Sequence, residues 1–564
     1  MGYLVSPAQR PSTSVEQRHS TVTTKPPQRP PQAHLSTGPR PTTDAIVVSP
    51  HHLASLAGLE ILRAGGNAVD AAIAVDAVLG VVAPDTCGPG GDLFALIHEP
   101  GIKTPVALNA SGRAGSGITA DGLRDMGFGA IPYRSPWSIT VPGCVDGWEA
   151  LTQRYANLTL TDILAPAIAI ARNGFPVSLE LAASLSHLTD MIGSEPSASS
   201  LYPNGSPAAF DTRITRGDLA DTLEAIATSG RDSFYLGAPG AGITKATQGA
   251  VVPDDLTMTQ AEWVDPASLD VFGRTGWTIG TNTQGYLTLA TLWIFEHLNP
   301  PTDSNDPLFH HLLIEAYRSV AWERSMFVTD PLTAPLSSAE LLDTQRLAKR
   351  AATISRTTAG RWPMPEPSPG GTAYMTVKDG NGMGVSFIQS NFAGIGSGLC
   401  AGATGVFLHN RGAGFSLIPG HPNEYSPGKR PMHTLSPTLW TRDGSLDLLL
   451  GTRGGDQQPQ FLAQYAAHHF HTGACTNDSQ MVPRWNMEQP APGTDSALRI
   501  EPRFAPGTRS GLEALGHTVT DADAWEPGWG PISAIDVGGE MKGSADPRIS
   551  TSAAMYGKTT VPLA

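Results

Sequence analysis

Residues 370–398, GGTAYMTVKDGNGMGVSFIQSNFAGIGSG, constrain this 564-residue chain more than any other stretch, because their pattern specifies a β-hairpin whose first strand begins with a threonine. Residues 372–378 are rich in β-branched and aromatic side chains, 383–390 repeat that character, and Asp379-Gly380-Asn381-Gly382 between them carry hairpin turn chemistry. A two-residue Gly380-Asn381 loop sets Thr372 opposite Gln389 and beside Ser390, and crowds Gln389, Ser390 and Asn391 around the threonine. Upstream, 361–371 hold four prolines and no apolar period, the composition of an exposed linker. A linker that runs straight into a strand is where a chain can be cut.

The chain is longer than one simple core serves, so two domains or one large multilayer domain is expected. Charged residues are only 16%, against 61 Gly and 48 Pro, which favours a loop-rich enzyme over a helical scaffold. A net charge of -14 and the lack of a basic run interleaved with aromatics argue against nucleic acid as a partner. Cys87, Cys144, Cys400 and Cys475 are far apart with no metal or CxxC spacing, and read as buried free thiols. No run approaches the ~18 apolar residues of a membrane span, and the N-terminus shows no secretory apolar core; the expected compartment is cytoplasmic.

In chain order, residues 1–42 are rich in Pro, Ser, Thr and Gln and read as a disordered tail. A strand at 44–48 precedes a helix with an apolar face of Leu53, Leu56, Ala57, Ile61 and Leu62, ended by Gly65-Gly66. Residues 70–82 are apolar nearly all round, as in a helix buried between layers. A strand at 93–98 lies between two glycine-dense pieces, the second leading to Arg113, whose rigid fork suits a carboxylate. Residues 151–350 read as mainly helical. Strands are expected at 404–409 and 446–450, the latter entering Gly451-Thr452-Arg453-Gly454-Gly455-Asp456, a turn able to converge backbone N–H groups on an oxyanion. His468, His469 and His471 lack a carboxylate partner, so no metal is assigned, and no cofactor motif is present.

These pieces together resemble the γ-glutamyltransferase (γ-glutamyl transpeptidase) family of N-terminal nucleophile hydrolases. The resemblance is carried by 53–70 (LASLAGLEILRAGGNAVD), 88–94, Ser111-Gly112-Arg113-Ala114, 141–148 (VPGCVDGW), the Thr372 strand, Lys429-Arg430-Pro431, Gly454-Gly455, Pro483-Arg484-Trp485 and Ala545-Asp546-Pro547-Arg548. It implies an α+β fold, a four-layer αββα sandwich, and self-cleavage between Gly371 and Thr372. The parts are then a large subunit, 43–371, and a small one, 372–564, which stay associated.

By the same resemblance, Thr372 is the nucleophile, Gly454 and Gly455 supply the oxyanion hole, Ser390 is the hydroxyl bonded to the nucleophile, and Asn391 is a nearby amide. Arg113 holds the γ-glutamyl α-carboxylate, with His433 and Thr434 where relatives carry a serine pair; Gln389 and Tyr374 join the substrate-binding set. Gly414 stands where well-studied members have the aspartate that receives the α-ammonium, Arg411 replaces an uncharged neighbour, and Asp456 is the candidate substitute acid. The short 415–429 connection leaves no room for a lid loop, so an open, hydrolytic site is expected. The implied activity is cleavage of γ-glutamyl amides such as glutathione or its conjugates, with possible transfer. A cephalosporin-acylase-like amidase or tailoring hydrolase, and a non-processed binding protein, are the alternatives.

Overall fold

The computed structural model describes residues 44–363, 370–488 and 497–558. The expected tail and the centre of the proline linker, 364–369, lie outside these residues. Two sheets organise the molecule. In chain order their strands are β1 (Ala45–Ser49), β2 (Asp92–His98), β3 (Val106–Ala110), β4 (Glu262–Val264), β5 (Ala267–Val271), β6 (Arg274–Thr278), β7 (Gly371–Lys378), β8 (Gly384–Phe392), β9 (Thr438–Arg442), β10 (Ser445–Thr452), β11 (Ile532–Asp536), β12 (Lys542–Ala545) and β13 (Ala553–Gly557). The first sheet runs β13-β1-β7-β8-β2-β3-β4 and the second β12-β11-β10-β9-β6-β5.

Strand alternation sorts the side chains into layers. Ile46, Val48, Phe94, Leu96, Tyr374 and Ile388 of the first sheet pack on Leu439, Leu449 and Ile535 of the second. Their neighbours Val47, Leu93, Ala95, Ala373, Met375 and Phe387 turn the other way, onto helices α1 (His52–Arg63), α2 (Ala68–Val82) and α3 (Leu160–Asn173). Beyond the second sheet lie α4 (Tyr286–His297), α5 (Pro307–Ala321) and α6 (Gln457–Ala466), sharing a core with Trp440, Leu448 and Leu450. The result is the four-layer αββα sandwich. Helix α2 is buried along all 15 residues and starts with a capping box between Asn67 and Asp70.

Residues on both sides of the Gly371–Thr372 bond interleave in each sheet. Strand β1 lies between β13 and β7, β2 is joined to β8 over seven residue pairs, and β6 is joined to β9. Cleavage of that one bond leaves these ladders in place.

The structure corrects several expectations. The hairpin loop is one residue longer than the two-residue reading: Asp379 N donates to Met383 O at 3.0 Å, and Asp379 Oδ1 accepts from the backbone of Asn381 and Met383 at 2.9 and 3.0 Å. Gly380-Asn381-Gly382 form the loop, Gly382 taking φ +97 as a three-residue hairpin requires. Gln389 therefore faces Ala373 rather than Thr372, and a bulge follows before Phe392 pairs with Gly371. The helical half contains β4, β5 and β6. Residues 404–409 form only an isolated antiparallel bridge, Phe407 opposite Cys400, after a left-handed Gly405, and His409 N then donates to Gly90 O. Leu56 and Cys475 are exposed, whereas Cys87, Cys144 and Cys400 are buried thiols.

Candidate active site

Gly370 and Gly371, leading into Thr372, thread a gap that only glycine fits. A Cβ on Gly370 would come within 2.1 Å of Gly455 N, and one on Gly371 within 2.5 Å of Gly394 N and 2.8 Å of Gly394 Cα. These are backbone contacts with nowhere to move. The register that sets Gln389 opposite Ala373 brings Ser390 beside Thr372, the two hydroxyl oxygens being 3.0 Å apart. Ser390 Oγ donates to Gly371 O at 2.5 Å and accepts from Phe392 N at 2.8 Å. With its own proton on the carbonyl, Ser390 Oγ accepts the Thr372 hydroxyl proton, so that the Thr372 oxygen keeps its lone pairs free. Both side chains are buried.

Gly454 and Gly455 form a turn between β10 and α6 with φ +122 and +59. Their carbonyls accept from Gln457 N at 3.0 Å and Gln458 N at 3.3 Å, which leaves the opposite edge of the turn against Gly370. Gln284, which the sequence reading missed, braces this turn: Nε2 donates to Gly455 O at 2.9 Å and Thr434 O at 2.8 Å, and Oε1 accepts from Arg324 Nη1 at 2.9 Å. Arg324 also binds the Asp456 carboxylate. Asp456 is thus engaged by a buried cation.

Behind the hairpin lies a buried charge cluster. Asp92 Oδ1 accepts from Gly112 N at 2.8 Å and Gly143 N at 3.3 Å, while Oδ2 lies 3.0 Å from His433 Nε2 and 3.3 Å from His409 Nδ1. Burial alone would raise the Asp92 carboxyl, but His409 and then His433 hold it below the usual carboxylate range. Burial, with Arg411 adding to it, pulls the His433 imidazole down to about 3. His433 is therefore neutral near pH 7, and its contact with Asp92 is that of a neutral ring on a carboxylate. Arg411 lies over the Phe392 ring at 3.8 Å, with Nη1 3.5 Å from Thr434 Oγ1.

Ser390 bonds both Thr372 and Gly371, Gln284 ties Gly455 to Thr434, and the Gly454–Gly455 turn lies against Gly370; His433, beside Thr434, lies against Asp92. Other expected site residues have different partners. Arg113 Nη2 bonds Glu262 Oε1 at 2.5 Å, and Arg430 Nη2 lies 3.1 Å from the other oxygen. Glu262 is on β4, next to β3, whose end leads into the Arg113 loop, and Gly112 of that loop bonds Asp92, the residue paired with Ser390. Gln389 exchanges two bonds with the Gly88 backbone, 2.6 and 2.9 Å, and holds the 84–91 loop. Tyr374 bonds Ser386 Oγ at 2.8 Å and lies on Gly451 between the sheets. Asn391 is buried beside Gly91, its Nδ2 on Pro84 O at 3.4 Å. The 415–429 segment packs Phe415, Leu417 and Tyr425 against Ala114, Leu123 and Ile131 in a small core of its own.

Among the described residues no helix is long and apolar enough to cross a membrane. The gamma-glutamyltranspeptidase family model matches residues 54–556. The chain is 37% identical to the glutathione hydrolase-like YwrD proenzyme of Bacillus subtilis (strain 168), covering 90% of this chain and 97% of the relative. It is 34% identical to the oxamate amidohydrolase proenzyme of Klebsiella pneumoniae, covering 91% and 99%. Among solved structures, cephalosporin acylase from Bacillus halodurans superposes with a TM-score of 0.84 at 31% identity, over 93% of this chain and 98% of that one. Taken with the αββα layers and the threonine at the head of β7, these matches show that the chain belongs to the gamma-glutamyltranspeptidase family.

Proposed function

We propose that the chain cuts itself between Gly371 and Thr372, and that Thr372 then serves as the N-terminal nucleophile of a hydrolase for γ-glutamyl amides, glutathione and its conjugates among them. The observation that carries this reading is the hydroxyl pair on the bond to be cut: Thr372 Oγ1 3.0 Å from Ser390 Oγ, and Ser390 Oγ 2.5 Å from Gly371 O. The Thr372 oxygen adds to the Gly371 carbonyl carbon while Ser390 holds the carbonyl oxygen. The Gly371–Thr372 C–N bond then breaks, the hydroxyl proton ends on the Thr372 nitrogen, and Gly371 is left as an ester on Oγ1. Water opens the ester to a Gly371 carboxylate and a free Thr372 hydroxyl and α-amine.

The new α-amine, with a reference pKa of about 7.7–8.0, is the base for turnover. It takes the Oγ1 proton as the oxygen adds to a substrate amide and returns it to the departing amine. Release of the 370–371 segment frees the edge of the Gly454–Gly455 turn for the oxyanion, with Gln284 and Arg324 holding that turn still. The 415–429 segment, folded onto its own core, supports an open site in which water competes well with amine acceptors. Relatives named as proenzymes are in keeping with this. The test is a denaturing gel. The 59.2 kDa chain divided as 371 and 193 residues gives bands of roughly 39 and 20 kDa, and Thr372→Ala leaves one band with no release of p-nitroaniline from γ-glutamyl-p-nitroanilide. An uncut wild-type chain would sink the reading.

A further inference from the structure

Glu315 is a buried carboxylate that neither the hydroxyl pair at the scissile bond nor the oxyanion turn uses. It lies on α5 and is fully buried. Oε1 accepts from Arg318 Nη1 at 2.7 Å, three residues along the same helix, which supplies the counter-charge that a buried carboxylate needs. Oε2 faces the segment that leads to the scissile bond, accepting from Gly360 N at 2.8 Å and from the Trp362 indole Nε1 at 2.8 Å. The fit is close: a Cβ on Gly360 would come within 2.6 Å of that indole nitrogen and 2.8 Å of Oε2.

The stretch around this contact lies at the surface. Residues 355–358 are exposed, as are Arg361 and Pro363 on either side of Trp362. Two more bonds tie it down, between His311 Nε2 of α5 and Ser355 O at 2.8 Å and from Ala359 N to Leu515 O at 2.6 Å, and the Trp362 ring packs on the core shared by α4, α5 and α6. A surface connection needs no buried, ion-paired carboxylate merely to join two elements. Eight residues after Trp362, Gly370 lies against Gly455 N, and Gly371 against Gly394. Glu315 and Gly455 belong to one frame. Tyr317, also on α5, donates its hydroxyl to Asp456 O at 3.4 Å, and Arg324, just beyond α5, binds both Asp456 and the Gln284 side chain that holds Gly455. The segment that carries Gly371 is thus fixed to this frame at Trp362 and again at Gly370.

We propose that Glu315 and Trp362 are positioning residues for self-cleavage, a clamp that sets where the segment leaves the protein so that Gly370 and Gly371 seat in their gap with the Gly371 carbonyl beside Thr372 Oγ1. This rests on the reading of Thr372 as the self-cleaving nucleophile. Neither residue touches the reacting atoms. Once the Gly371–Thr372 bond is cut, the clamp no longer bears on Thr372, so its loss slows maturation and leaves turnover by the mature enzyme unchanged.

The test follows self-cleavage of freshly purified full-length wild type, Trp362→Ala, Trp362→Phe and Glu315→Leu on denaturing gels over time. Release of p-nitroaniline from γ-glutamyl-p-nitroanilide is measured per cleaved chain, and thermal unfolding of each variant is measured in a Thr372→Ala background. Trp362→Ala, which loses ring and N–H together, should cut at least roughly tenfold more slowly, since a misplacement of about 1 Å costs up to about 100-fold. Trp362→Phe keeps a ring and loses the donor, so it falls between Trp362→Ala and wild type; Glu315→Leu, with no acceptor, matches Trp362→Ala. Turnover per cleaved chain should stay within about twofold of wild type for the Trp362 variants, with thermal unfolding only moderately shifted. Cleavage of Trp362→Ala at the wild-type rate, turnover that falls in step with cleavage, or slowing confined to variants whose fold collapses overturns the proposal. The two Trp362 variants decide it if Glu315→Leu does not fold, and cleavage rates with melting decide it if the anilide is not turned over. An uncut wild type sinks the Thr372 reading itself, whereas a wild type that cuts no faster than Trp362→Ala sinks the clamp alone.

Discussion

Removing the Ser390 hydroxyl is the perturbation whose consequences the geometry defines most sharply. One oxygen makes three contacts: 2.5 Å to Gly371 O, 3.0 Å to Thr372 Oγ1 and 2.8 Å from Phe392 N. Ser390→Ala deletes the donor on the carbonyl under attack and the acceptor for the attacking hydroxyl. Loss of one oxyanion-type donor typically costs about 10²–10³ in rate, roughly 3–4 kcal/mol of barrier. It also orphans the buried Phe392 N–H, about 1–3 kcal/mol of stability. Against a typical total of about 5–15 kcal/mol, that leaves a folded protein. Self-cleavage of Ser390→Ala should therefore slow by about 10²–10³ while its thermal unfolding shifts only moderately. The assay is a time course of denaturing gels on freshly purified precursor, with circular dichroism melting of the same sample. Cleavage of a well-folded Ser390→Ala at the wild-type rate would refute the assignment of the serine to the scissile carbonyl.

Three further outcomes follow from neighbouring contacts. Gly371→Ala pushes a Cβ to 2.5 Å from Gly394 N, so precursor processing should fall at least tenfold with a stability loss of about 1–3 kcal/mol; normal processing by gel contradicts the close approach. Gln284→Leu frees the Gly455 and Thr434 carbonyls, and initial-rate kinetics should show kcat down roughly 10–100-fold with little change in KM; a pure KM effect would assign the glutamine elsewhere. Burial pushes the Asp76 carboxyl up to about 7, so the native chain keeps a proton that the unfolded chain sheds above pH ~4. The associated stability is present below pH ~4 and is lost as pH rises through 7, on the order of 4 kcal/mol for a shift of about three units. Asp76→Asn should thus gain in melting temperature relative to wild type between pH 4 and 8, and parallel curves would contradict the shift.

The parts of the molecule read best from sequence are those where local chemistry and tertiary packing agree. The turn residues 379–382 announced the hairpin, and the all-round apolar 70–82 run announced α2. The register was misread because Asp379 spends its carboxylate on the loop backbone, adding one residue to the turn and placing Ser390 across from Thr372. Strands β4, β5 and β6 were hidden in a helical stretch because they are short and half exposed. Gln284 and Arg324 carried no local signal at all, since their role comes from contacts 150 or more residues away in sequence or with Asp456. Arg113 shows what local sequence leaves out: its ionic partner Glu262 is 149 residues away, on the strand beside the one that leads into the Arg113 loop.

N-terminal sequencing of the purified protein, with intact mass of both chains, tests the central claim most directly. The account predicts a second chain that begins Thr-Ala-Tyr-Met-Thr at Thr372, equimolar with the first and absent from Thr372→Ala. A single chain of 59.2 kDa, or a new N-terminus at any other residue, would contradict it.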